Sequence, residues 1–182
     1  MKRIITAAFM LVAFSTAFGQ KYLTQNGTIR FFSHTSMEDI EAVNNQVSSV
    51  LDMSNGQMAY TLLMKAFTFE KALMQEHFNE KYAESDKHPK ATFKGSIQDF
   101  DKLTLGTSET EVTVNGKLTI HGITKDVSVK AKLSKSSDGK IIATSKFDIN
   151  PKDYNIEIPS AVKANISDKI EINVKMDYAK LN

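Results

Sequence analysis

The sequence predicts an all-β chain with one amphipathic helix, its strands antiparallel and packed as a sandwich or a closed barrel. Two observations carry this. Apolar and polar residues alternate strictly through three long runs after residue 90, and turn signals separate the runs at short intervals. A third observation is the single stretch in which the apolar period changes from two to that of a helix.

The elements follow in chain order. Lys2 and Arg3, an apolar stretch Ile4–Phe14 and the small-residue pattern Ala17-Phe18-Gly19 predict a cleavable signal peptide over residues 1–19. That stretch is far shorter than the roughly 20 residues a spanning helix needs. Residues 20–182 then form one domain. Residues 21–25 and 27–34 predict two short strands around Asn26-Gly27, followed by a loop over 35–46. Gln46–Met53 and Gly56–Met64 predict a hairpin about Asn55-Gly56. Phe67, Leu73, Met74, Phe78 and Tyr82 recur at helical spacing and predict a helix over 67–82, which covers a barrel end or borders an entrance. Strand character returns at Ala91–Ile97, after His88-Pro89.

The second half is more regular. Val112, Val114, Gly116, Leu118 and Ile120 share one face, with Glu111, Thr113, Asn115, Lys117 and Thr119 on the other. Val127, Val129, Ala131 and Leu133 repeat the pattern across a short connector at 121–126. Asp138-Gly139 is a hairpin turn into a strand over 140–148. Residues 150–166 predict a longer connection. Ile170, Ile172, Val174, Met176 and Tyr178 then line one face of a last strand. The count is eight to nine strands. Lys, Glu, Thr and Asn fill the opposite faces, the reverse of a lipid-facing barrel, so the apolar faces point inward.

Charge and composition exclude whole function classes. The chain has 23 Lys+Arg and 21 Asp+Glu, and both basic residues in excess lie in the signal peptide. A balanced, interspersed charge argues against a nucleic-acid partner, and the remainder has no apolar run long enough to span a membrane. Cysteine is absent, which removes disulfides, thiolate chemistry and thiolate metal sites. The four histidines, His34, His77, His88 and His121, show no i,i+4 pair, and no nucleophile elbow or phosphate loop is present. The expectation is a protein that is not an enzyme, with no cofactor and no metal. An inward apolar face either packs solid or encloses one small ligand; the pattern alone leaves both open.

Two segments are more specific. Lys87-His88-Pro89-Lys90-Ala91-Thr92-Phe93-Lys94-Gly95 is followed by Val114-Asn115-Gly116-Lys117-Leu118-Thr119-Ile120-His121-Gly122-Ile123-Thr124-Lys125-Asp126-Val127. Together with Phe147-Asp148-Ile149-Asn150 they resemble the YceI-like family of exported bacterial lipid-binding proteins. The resemblance implies an extended lipocalin-like antiparallel β-barrel of about eight strands. It also implies an isoprenoid or other long-chain amphiphilic lipid inside the barrel. The signal peptide predicts export, to the periplasm of a Gram-negative cell or otherwise by secretion. Such a protein binds, transports or stores its ligand without chemistry, does not span the membrane, binds no nucleic acid and is compatible with a homodimer. The competing expectation is an envelope stress-related interaction module that uses the barrel as a scaffold and meets partners through 35–46 and 150–166. The residues expected to touch a lipid are Phe31, Met58, Tyr60, Leu62, Phe93, Leu118, Ile120, Val129, Ala131, Phe147, Ile172, Val174 and Met176. Phe67, Leu73 and Phe78 are expected near an entrance.

Overall fold

The computed structural model describes residues 20–181; the expected signal peptide lies outside the described residues. Nine strands are present among them: β1 (Lys21–His34), β2 (Asp39–Asp52), β3 (Gln57–Leu63), β4 (Thr68–Phe69), β5 (Lys90–Ile97), β6 (Thr110–Ile120), β7 (Ile123–Lys135), β8 (Ile141–Ile149) and β9 (Ile170–Lys180). Eight of them form a ring in the order β1-β9-β8-β7-β6-β5-β3-β2, and β1 pairs with β2 to close it. Every pairing is antiparallel. The result is a closed antiparallel barrel, with the two-residue β4 appended to β2 at Ala42 and Val43.

The expected alternation is realised in the second half. Val112, Val114, Ala131, Leu133, Ile141, Ala143, Met176 and Tyr178 are all buried. The outer face carries cross-strand ion pairs, among them Lys117–Asp126 at 2.8 Å and Lys132–Glu109 at 2.9 Å. Exposed pairs of this kind are screened by solvent and contribute little to stability. The connector between β6 and β7 is shorter than expected. His121 and Gly122 alone make the turn, with φ of 51° and 75°, the two left-handed positions of a type I′ hairpin.

The first half departs from expectation for one physical reason. β1 is a single strand whose pairing slips between Thr24 and Gly27 and again before Ile29. The slip inserts unpaired residues and reverses which parity faces inward: Tyr22 and Thr24 point in before it, and Gly27 and Ser33 after it. β2 does the same, with Ala42 and Asn44 buried on one side of the break and Val47, Ser49 and Leu51 on the other. Asn44 holds the break together. It is fully buried, its amide donates to Leu63 O at 2.9 Å, and its side-chain oxygen accepts from Gln46 N at 2.8 Å. Because alternation fails at this bulge, residues 39–46 read as loop in the sequence, yet they are strand. The partner-binding loop expected over 35–46 therefore shrinks to the turn 35–38.

The expected helix over 67–82 is also shorter. Phe67 follows a 3-10 turn (Met64–Ala66), Thr68–Phe69 pair with β2, and only α1 (Ala72–His77), continued by a π-type turn Phe78–Tyr82, is helical. Phe67 turns inward as an extended residue, so its helical spacing to Leu73 and Phe78 reflects a shared target, not a shared helix. Among the described residues no helix is long and apolar enough to cross a membrane.

Candidate functional site: an apolar chamber in the barrel

The two ends of the barrel differ. At the end that carries both described termini, side chains fill the interior. Val47, Leu51, Leu133, Ile141, Met176 and Tyr178 are at most 1 % exposed, and the Tyr178 hydroxyl lies 2.6 Å from Ser49 Oγ. Met176 belongs here. Its sulfur lies so close to the bare α-carbon of Gly27 that an added Cβ would sit 2.1 Å from it. Met176 was expected to meet a lipid; it fills the closed end instead, because the parity reversal in β1 presents glycine at that point and leaves room for a long side chain.

Toward the other end the interior is open. A cavity of about 610 Å³ runs from Val114, Leu133 and Ala143 up to α1 and the connection 150–169. Apart from Met176, every residue expected to meet a lipid lines it: Phe31, Met58, Tyr60, Leu62, Phe67, Leu73, Phe78, Phe93, Leu118, Ile120, Val129, Ala131, Phe147, Ile172 and Val174. Phe31, not its neighbour Phe32, points inward. Phe32 instead stacks beneath the Arg30 guanidinium, 5.5 Å from its ring centre.

The upper wall is aromatic. Phe31 meets Phe67, Phe69 and Phe78 at centroid distances of 5.3, 5.6 and 5.4 Å, and Phe78 meets Phe69 at 5.1 Å. These tilted and edge contacts fix the π-type turn against β1. Leu73 sits above them at the lip and is 61 % exposed. The connection supplies a wall the sequence did not reveal: Ile156, Ile158, Val162 and Ile166 all line the chamber. The recurring aliphatic residues of this connection were the available signal.

Polar groups are confined to the rim and to satisfied positions. Glu38 accepts from Lys71 Nζ at 3.2 Å and from Asn165 Nδ2 at 3.1 Å, which ties the β1–β2 turn to the start of α1 and to the connection. The Asn165 and Lys71 hydrogen bonds hold its carboxyl below the ordinary range. Ser33 Oγ accepts from Ser167 N at 2.9 Å and Ser145 Oγ donates to Lys130 O at 2.6 Å. At the floor, burial followed by the neighbouring Tyr178 hydroxyl pushes Tyr60 well above the usual phenol value. The floor is therefore uncharged around neutral pH.

One packing detail sets the width of the chamber. Gly95 and Gly116 face each other across β5 and β6, and the Phe93 ring lies over both. A Cβ on Gly116 would stand 2.5 Å from Phe93 Cζ, 2.5 Å from Lys94 O and 2.7 Å from Gly95 Cα. Two of those three neighbours are backbone and cannot yield. Gly116→Ala is therefore expected to cost about 1–3 kcal/mol in urea unfolding and to push the Phe93 ring into the chamber.

Fold and cavity together define a lipocalin-like barrel, a closed antiparallel sheet around an apolar interior. A family model of the YceI-like domain matches residues 21–178, and the chain belongs to that family. Three solved structures share the fold. A polyisoprenoid binding domain from Saccharophagus degradans, implicated in plant cell wall breakdown, superposes with a TM-score of 0.76 at 14% identity, covering 90% of this chain and 99% of that one. Burkholderia cenocepacia BcnA gives 0.70 at 16% identity, covering 85% and 96%. A Campylobacter jejuni YCEI protein gives 0.63 at 20% identity, covering 82% and 89%. No curated protein matches the chain.

Proposed function

We propose that this protein is a non-catalytic binder of a long-chain apolar lipid, isoprenoid or fatty-acid-like, which it carries or stores in the periplasm after export on the leader 1–19. The observation that carries the reading is the apolar chamber of about 610 Å³ that reaches the rim beside Leu73 and Lys71. A chamber of this size is within the range of small-molecule pockets, and its lining offers hydrocarbon contact nearly everywhere. The S. degradans relative is described as a polyisoprenoid binding domain, which supports the same ligand class here. The two serine hydroxyls that line the chamber, Ser33 and Ser145, are engaged with backbone groups, which supports binding without chemistry.

The mechanism is burial. Each enclosed CH₂ contributes about 0.8 kcal/mol, offset in part by fixing the chain. Affinity should therefore rise about fourfold per methylene until the chamber is full, and then level off. Titrating the delipidated protein with a homologous series of fatty acids and of isoprenols, read by displacement of a fluorescent fatty acid, measures this directly. Native mass spectrometry of protein from its own host should show one long-chain amphiphile per chain. Affinity independent of chain length, with no amphiphile retained, would overturn the reading.

A further inference from the structure

Outside the chamber, three side chains of metal-ligating type converge. Glu84 and His88 come from the segment between the π-type turn and β5, and His121 from the β6–β7 turn. One ligand atom from each lies within 4.8 Å of the others. We propose that Glu84, His88 and His121 form a binding site for a divalent transition-metal ion of the zinc class, with solvent completing the coordination.

Turn geometry brings these groups together. Glu84 is held at φ 42°, and His121 at the φ 51° of the type I′ turn. Glu84 O accepts from both Lys87 N at 2.8 Å and His88 N at 2.9 Å, so Glu84 and His88 belong to one closed turn. Ser85, 1 % exposed, anchors that turn through Asn79 at 2.6 Å. Gly122 lets the hairpin approach, since a Cβ there would lie 3.1 Å from the His88 ring. The two imidazoles meet edge to face at 4.4 Å.

The orientation of His121 is the second argument. Its side chain is only 11 % exposed. Nδ1 lies 3.1 Å from Tyr154 O and Nε2 lies 3.0 Å from Glu84 Oε2. A carbonyl only accepts, so Nδ1 carries a hydrogen and donates it. This is the arrangement by which metal-bound histidines fix their tautomer. Nε2 then faces a carboxylate oxygen, which only accepts. A proton on Nε2 makes this contact a plain ion pair, and a metal ion in place of that proton satisfies both atoms. Two imidazole nitrogens and one carboxylate oxygen make the donor set of three-ligand zinc sites and of other borderline divalent ions. Lys87 pairs with Glu84 Oε1 and competes for that carboxylate, which gives the proposal a signed consequence.

The site joins the 83–88 segment, the β6–β7 turn and, through Tyr154, the start of the connection, so metal would tie together three pieces of the barrel mouth. It stands independently of the lipid reading. The test is calorimetric titration of the full, chelator-stripped protein with Zn(II), together with Co(II) absorption. The expected result is one ion per chain. His88→Ala and Glu84→Gln should each weaken binding by more than about tenfold, and Lys87→Gln should strengthen it several-fold. His88→Ala leaves the Glu84–His121 pair intact, so it should abolish the zinc-dependent rise in melting temperature without lowering that of the metal-free protein. No saturable binding, or binding indifferent to His88→Ala and Glu84→Gln, would show that the cluster is only an ion pair and overturn the proposal.

Discussion

Ala131→Trp should abolish uptake of long chains while the barrel stays folded. Ala131 lies on β7 between Val129 and Leu133, opposite Val112 on β6 and Ser145 on β8. Its methyl faces the lower part of the chamber, where Ala143 and Ser145 are also small. An indole placed there enters open volume, so it displaces ligand without displacing protein. Were the same position solidly packed, the added ring would overpack the core and cost about 1–3 kcal/mol or more. Uptake and thermal unfolding measured on the same delipidated sample separate the two. Lost uptake with a nearly unchanged melting temperature is the expected pair of results. A steep fall in melting temperature would mean that Ala131 borders packed atoms.

The opposite behaviour is expected of Leu51→Ala. Leu51 has no exposed surface and packs at the closed end, facing Tyr22 on β1 and Met58 on β3. Truncation removes buried hydrocarbon and leaves a void in a region whose neighbours are strand-bound and relax little. The expected loss is about 2–5 kcal/mol, seen as a lower urea midpoint with an unchanged slope. Chain-length selectivity in the folded protein should persist, because Leu51 does not border the chamber. The two substitutions together would show that stability resides at one end of the barrel and capacity at the other.

Much of this was legible in the sequence, and the illegible parts share causes. β6, β7 and β9 obey a strict period of two, and their inward residues were identifiable one by one, down to Ala131 and Val174. β1 and β2 were not, because a bulge reverses parity, and the Phe31–Phe32 choice depends on knowing where it falls. Met176 has the right parity but the wrong depth, since periodicity specifies a face and not a position along the barrel axis. Phe67 and Phe78, expected near an entrance, both line the chamber's upper wall, although the helix expected to join them is shorter. The convergence of Glu84 and His88 on His121 required the turn after the π segment to fold back on the β6–β7 hairpin. Nothing local encodes that approach, although the Glu84–His88 spacing of four was there to be seen.

The way the ring closes has a consequence for how fast the protein reaches its native state. β1 pairs with β2, its neighbour in the chain, and with β9, the last strand: Tyr22 faces Lys180, 158 positions later, and Leu181 N donates to Lys21 O at 2.8 Å. Every other wall of the barrel joins strands that follow closely in sequence. The seam between β1 and β9 alone must search across nearly the whole chain, and the loop-closure entropy of that search is met before its contacts form, which slows this step relative to the local hairpins. Until the seam forms, β1 and β9 each present a bare edge, the kind of surface on which incompletely folded chains pair with one another. Refolding yield should therefore fall as protein concentration rises, and the last-made strand sets the moment at which that exposure ends.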